Sequence, residues 1–137
     1  MSILNKEVFS GVIIAESLSK TDVLQRLKIF STKVSIVTQE HKTPWLTQWT
    51  LHTVEISGDS VSVVAKELSE SFDMSHPGSW YIDFKSDICH YIVYPHKVFQ
   101  INRQIRSEYE EATRYGISIG IPAHQLDFAP HGPKENS

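Results

Sequence analysis

Apolar side chains recur along the chain in two rhythms, and the changes from one to the other predict its elements. The first run, Val8-Phe9-Ser10-Gly11-Val12-Ile13-Ile14-Ala15, has the length and β-branched content of a buried strand. Ser19, followed by Asp22 three positions on, reads as a capping-box-like helix start, and Val23, Leu24, Leu27 and Phe30 then fall on one helical face. Lys33 to Thr38, with Val34, Ile36 and Val37, predicts a second strand, and Gln39 to Pro44 a polar loop closed by proline. A third strand lies within Trp45 to Ile56. Its alternation sets Trp49, Leu51, Thr53 and Glu55 on one face and Thr50, His52, Val54 and Ile56 on the other.

Asp59 is a good N-cap for the clearest helix, in which Val61, Val64, Ala65, Leu68 and Phe72 keep helical spacing. His76-Pro77-Gly78 is a turn signal. Trp80, Ile82 and Phe84 alternate with Tyr81, Asp83 and Lys85, and Cys89 to Tyr94 and Val98 to Ile101 follow across short turns, so an antiparallel meander is expected. A last helix, from about Arg103 to Tyr115, turns Ile105, Tyr109 and Ala112 inward and stops at Gly116. Ile117 to Ile121 reads as extended. The segment Gly120 to Phe128, broken by Pro122, reads as an added edge strand in preference to an extended peptide offered to another subunit.

The first six elements spell β-α-β-β-α-β. That is the split βαβ order of a ferredoxin-like α+β sandwich, an antiparallel sheet with helices mainly on one face, here extended by a C-terminal hairpin strand and helix. Residues 1–129 are read as one domain and 130–137 as a polar tail that frays.

Composition narrows the functional classes more than it names one. With 137 residues, 40% hydrophobic and 21% charged, the chain can bury a core without a disulfide framework or a structural metal. Sixteen acidic against thirteen basic side chains leave a formal charge of −3, which lacks the basic surface of a nucleic-acid binder. No apolar run approaches the roughly 18–20 residues of a membrane helix, so neither nucleic acid nor membrane is an expected partner. Val8 to Ala15 follows Lys6 and resembles a short signal-peptide core, but Ser10 and Gly11 interrupt it and the strand reading is the better one. The single cysteine, Cys89, suits a reducing compartment, so a cytoplasmic location is expected.

Signature loops for nucleotides, nucleophile elbows and zinc are absent, and no cofactor or metal is expected. Gly116-Ile117-Ser118-Ile119-Gly120 follows a helix, so it reads as a C-cap and turn and not as a phosphate loop. Of seven histidines, His41, His76, His96 and His131 sit in loops or the tail. His52 and Glu55 with Asp83 and His90 would make two imidazoles and two carboxylates for acid–base work or a metal. His52 and Glu55, three apart on a strand, face opposite ways, however, and His52 shares its face with Val54 and Ile56 as a structural histidine would. Asp83 looks outward beside Lys85. Cys89 and His90 are adjacent and face apart, which disfavours a thiol–imidazole pair. Arg103, Arg106 and Arg114 interleave with Glu108, Glu110 and Glu111, the pattern of a solvated mixed-charge helix face.

Aromatic residues carry the stronger signal. Trp45 and Trp49 lie on one side of an extended segment, ~13 Å apart, and with Leu51 and Thr53 they form an apolar stripe on the sheet face that the helices leave open. The competing expectation is that the last helix folds back over that stripe. Candidate binding residues are Trp45, Trp49, Trp80, Tyr91 and His124, and candidate catalytic residues are His52, Asp83 and His90. The expected function is a non-catalytic cytosolic module that binds a small molecule or a protein through the aromatic face, as a homodimer. The alternative is a small hydrolase or isomerase using His, Asp and Glu, with a divalent metal as an option.

Overall fold

The computed structural model describes residues 7–36, 45–75 and 80–126. Among them are six strands, β1 (Val8–Ile14), β2 (Lys28–Ile36), β3 (Gln48–Ser57), β4 (Ile82–Lys85), β5 (Cys89–Tyr94) and β6 (Lys97–Asn102), with two helices, α1 (Val61–Ser69) and α2 (Arg106–Ser118). The strands form one antiparallel sheet in the order β2-β3-β1-β4-β5-β6, and the fold is α+β.

Side-chain alternation divides the core between the two faces. Phe9, Ile13, Val54, Ile56, Ile82, Phe84, Tyr91 and Val93 point to one face, where α1 covers them with Val61, Ala65 and Leu68. Ile92, Tyr94 and Ile101 point to the other, where they meet Tyr109 and Ala112 of α2 together with Ile121 and Leu126. The helices therefore lie on opposite faces, one on each, where helices mainly on one face were expected. The reason is visible in β5: every residue from His90 to Tyr94 is buried, so the strand needs a cover on each side. α2 does not reach the β2-β3-β1 part of the sheet, and Val8 and Val12 on its side of β1 are exposed.

The first crossover also departs from expectation. No α-helix follows Ser19; the chain passes through two 3-10 turns, Ala15–Ser17 and Asp22–Arg26, and Thr21 makes no side-chain cap. Of the predicted helical face only Val23 is fully buried, and Phe30 is in β2. Lys28 and Ile29 pair with Glu55 and Val54 of β3, and this ladder takes the end of the segment that helical spacing alone assigned to a helix. The second strand thus starts at Lys28; Val37 and Thr38, the predicted loop at 39–44 and the His76-Pro77-Gly78 turn lie outside the described residues.

The meander is as expected, with Phe84 opposite Tyr91 and Ile92 opposite Phe99. Its β5–β6 turn holds His96 at φ 61, and the His96 N–H donates to the Ser69 carbonyl at 2.9 Å, fastening the turn to the end of α1. Close approach explains Gly11, where a Cβ would stand 2.2 Å from the Asp83 carbonyl oxygen. α2 begins later and ends later than predicted. Ile105 lies ahead of it and is exposed, Gly116 is buried inside it, and Gly120 at φ 105 turns the chain after it. The predicted edge strand at Gly120 to Phe128 is not formed in its described part. A 3-10 turn, Ala123–Gln125, lies there, with Ile121 and Leu126 buried beside α2, because the two apolar side chains find the helix and not a strand edge. Asp127, Phe128 and the tail at 130–137 lie outside the described residues. No described helix is long and apolar enough to cross a membrane.

Candidate functional site

Pairing of β4 with β5 sets Lys85 opposite His90 and Asp83 opposite Ile92, so Asp83 and His90 are diagonal neighbours on the α2 face. His90 is completely enclosed, 0% exposed. Its Nε2 lies 2.7 Å from Asp83 Oδ2 and its Nδ1 2.8 Å from the Tyr109 hydroxyl. The assignment that satisfies all three groups has Nε2–H donating to the carboxylate and the tyrosine hydroxyl donating to Nδ1. Burial pushes the Tyr109 hydroxyl up from its ordinary value, with the nearby Arg103 guanidinium opposing. Arg103 also donates to the Ser86 carbonyl at 2.6 Å.

Two of the predicted acid–base residues are thus brought together, and a third is not. His52 sits on the α1 face of β3, where its Nδ1 is 2.9 Å from Thr32 Oγ1, while Glu55 turns the other way and pairs with Lys28 at 3.4 Å. The four groups do not share a site. Among the described residues no three of His, Cys, Asp and Glu gather as a metal site would need. Both nitrogens of His90 are engaged, and of the Asp83–His90 pair only the carboxylate, 31% exposed, touches solvent. A general base must come within hydrogen-bond reach of its proton, and this imidazole is closed off from any substrate.

Cys89 and His90 point to opposite faces, as adjacent strand residues must. The thiol lines a cavity of about 580 Å³ on the α1 side with Glu7, Tyr91, Gln100, Asn102 and Glu108. Burial raises its pKa above the ordinary thiol value, a hydrogen bond with Gln100 opposes this, and Glu7 adds to it. Tyr91 packs edge-on against Phe9 at 5.3 Å, so this predicted binding residue belongs to the core beneath α1. His124 is exposed on the 3-10 turn after α2, which Tyr81 fastens by donating to the Gln125 carbonyl at 2.5 Å.

The tryptophans form the other cluster. β1 stops at Ile14, opposite Leu51, and the chain turns away at Ala15–Ser17, while β3 extends on to Gln48. The Glu16 carboxylate takes over from the lost strand, accepting from the Thr50 N–H at 2.7 Å and its hydroxyl at 2.8 Å. Beyond that point Trp49 of β3 and Trp80, just ahead of β4, come together with ring centroids 5.7 Å apart. Trp45 stands edge-on to Trp80 at 6.5 Å and 88°. These are geometries that aromatic quadrupoles favour. Trp80 is buried, and its indole N–H has no hydrogen-bond partner among the described residues. Trp45, 36% exposed, forms the outer wall.

The predicted stripe is therefore replaced by a cluster. Trp45 precedes β3, so the spacing of an extended strand does not apply to it, and Leu51 and Thr53 are half-buried within the sheet. α2 packs against β5 and β6 and does not fold back over the tryptophans. Beside the cluster Ser35 of β2 pairs directly with Trp49. β2, outermost of the described strands on this side, carries Phe30, Val34 and Ile36 at 54%, 56% and 77% exposure. Sequence reasoning placed Val34 and Ile36 in a strand but left Phe30 out of it, because helical spacing assigned Phe30 to the preceding segment. It also missed Tyr109 as the partner of His90, although a predicted inward tyrosine needs a hydroxyl partner when buried.

Comparison of the chain with protein-family models, curated proteins and solved structures finds no match.

Proposed function

We propose that this protein is a non-catalytic binding module whose contact surface is the open end of its sheet, formed by Trp45, Trp49 and Trp80 with the edge strand β2. The observation that carries this reading is the tryptophan cluster itself: three rings from two separate segments meet beside an exposed apolar edge, and one buried indole N–H is left to be satisfied from outside. A buried donor without an acceptor is unfavourable by about 1–3 kcal/mol. A bound group bearing a carbonyl or carboxylate would remove that cost, and the ring faces around it suit an apolar or aromatic neighbour. In this reading the first four strands follow a split βαβ plan whose first helix has been reduced to 3-10 turns, and that reduction is what leaves this end uncovered.

An acid–base enzyme built on Asp83 and His90 is less well supported, because the imidazole is sealed on both nitrogens. The two readings separate in a titration of the protein with aromatic amide and carboxylate fragments, followed through the indole and backbone N–H signals. Binding at the open end shifts the signals of Trp45, Trp49, Trp80 and β2, and Trp45→Ala weakens it by about tenfold or more. Shifts confined to the surroundings of Asp83 or to the Cys89 cavity would defeat the proposal.

A further inference from the structure

We propose that the cavity beside Cys89 is a second binding site, separate from the tryptophan end of the sheet, and that it takes a small organic cation, an alkylammonium or alkylguanidinium group on an apolar stem. Strand register builds its floor. Cys89 stands opposite Asn102 and Tyr91 opposite Gln100 on β5 and β6, so these four side chains share one face at the end of the hairpin. α1 begins only at Val61, on the border of the cavity, and leaves that end of the face open. The space, about 580 Å³, is of the size that small organic molecules occupy and is far larger than a single ion needs.

Charge then selects the occupant. Glu7, just ahead of β1, and Glu108, in the first turn of α2, bring two carboxylates to the cavity from separate elements. Both lie near enough to the Cys89 thiol to help hold its proton on, and Glu7 acts on the Tyr91 hydroxyl in the same sense. Each carboxylate is fixed by a single hydrogen bond: the Ser86 hydroxyl donates to Glu7, and the Asn102 N–H donates to Glu108 Oε1 at 2.7 Å. A carboxylate can accept about four, so acceptor capacity is left over on both. Glu55, Glu67 and Glu70 are paired with Lys28, Arg26 and Lys66, but among the described residues Glu7 and Glu108 have no such partner, and no Lys, Arg or His lines the cavity. Arg103, next to Asn102 in the chain, turns its guanidinium to the Ser86 carbonyl and the Tyr109 hydroxyl. The N-terminus of α1 adds about half a positive charge, against two full negative ones. An anion is therefore repelled here, and a bare metal ion finds no set of three ligands. A cation with an apolar body meets both kinds of wall. Its N–H groups donate to Glu7 and Glu108 in charge-assisted bonds, roughly twice as strong as neutral ones, and Phe9, Tyr91 and Ile88 receive the stem.

Agmatine, which carries a guanidinium and an ammonium on one aliphatic stem, is the probe, and pentanamide is its neutral counterpart. Titrated into the full chain, agmatine should shift the amide signals of Cys89, Gln100 and Asn102 saturably, and pentanamide should not. Glu7→Gln and Glu108→Gln, the latter keeping an acceptor for the Asn102 N–H, should each raise the agmatine Kd by about tenfold or more. A second measurement needs no variant: agmatine should move the pH profile of Cys89 alkylation to lower pH, because a cation beside the thiolate offsets the two carboxylates. The absence of a saturable shift, equal saturation by pentanamide, a Kd unchanged in either Gln variant, or an alkylation profile that agmatine leaves in place would each overturn the proposal. So would agmatine shifts confined to Trp45, Trp49 and Trp80. The tryptophan surface stands or falls separately, on its response to aromatic amides and carboxylates.

Discussion

Tyr94 and Gly116 meet in close contact between the sheet and α2: a Cβ on Gly116 would lie 2.7 Å from the Tyr94 hydroxyl and 2.8 Å from a methyl of Leu126. That hydroxyl is held in place, donating to the Ala112 carbonyl at 2.7 Å. Alanine is the better helix former by about 1 kcal/mol. Overpacking a core typically costs about 1–3 kcal/mol, and here the contact cannot slide away without losing the hydrogen bond. Gly116→Ala should therefore lower stability by about 1–2 kcal/mol in urea denaturation, with an unchanged m-value. A variant as stable as the parent would show that α2 is not seated by this contact.

The Asp83–His90–Tyr109 chain makes a second prediction about the same interface. Tyr109→Phe leaves His90 Nδ1 without its donor and should cost about 1–2 kcal/mol. His90→Leu strands the tyrosine hydroxyl and the carboxylate together and should cost about 2–4 kcal/mol. Asp83 and Tyr109 act on opposite sides of one imidazole. A double-mutant cycle of Asp83→Asn with Tyr109→Phe should thus show coupling of about 0.5–2 kcal/mol, and strict additivity would argue against a connected network.

Alkaline pH should loosen the fold. Burial raises the hydroxyls of Tyr91, Tyr94 and Tyr109 above the ordinary tyrosine value of 10.0. An acid whose pKa is higher folded than unfolded contributes stability that is complete below the unfolded value and is lost as pH rises towards the folded one. The melting temperature should thus hold steady to about pH 9 and fall beyond about pH 10, with tyrosinate absorbance appearing together with unfolding. Tyrosinate that forms fully while the native fold persists would contradict this.

Periodicity made much of the architecture legible. The alternation of β3, the spacing from Val61 to Leu68 in α1 and the limits of β5 are strong local signals, and the fold keeps each, although Ser60 and not Asp59 stands at the N-cap of α1 and Phe72 lies beyond its end at Ser69. Val23, Leu24, Leu27 and Phe30 are helically spaced too, yet pairing with β3 claims the chain from Lys28, a preference that exists only once β3 is in place. Gly116 reads as a helix stop by propensity. Its role is instead to let a tyrosine from another element approach, which no local pattern encodes. At the candidate sites, Asp83 and His90 were identifiable from their spacing on adjoining strands, while Tyr109 joins them through the rotation of a helix on the sheet. Trp45 and Trp49 stand out in the chain. Their meeting with Trp80 depends on β1 stopping at Ile14, and that stop is set by the Ser17 hydroxyl bonding back to the Ile14 carbonyl at 2.6 Å and by the turn around it.

The opposite placement of the helices makes β5 the common wall of two apolar layers, with Tyr91 and Val93 in one and Ile92 and Tyr94 in the other. Opening either layer alone still leaves this strand clamped from its remaining side. Amide protons should therefore exchange in tiers: those of α2 are released when its layer lifts, and those of β5 exchange last, only when both layers have come apart.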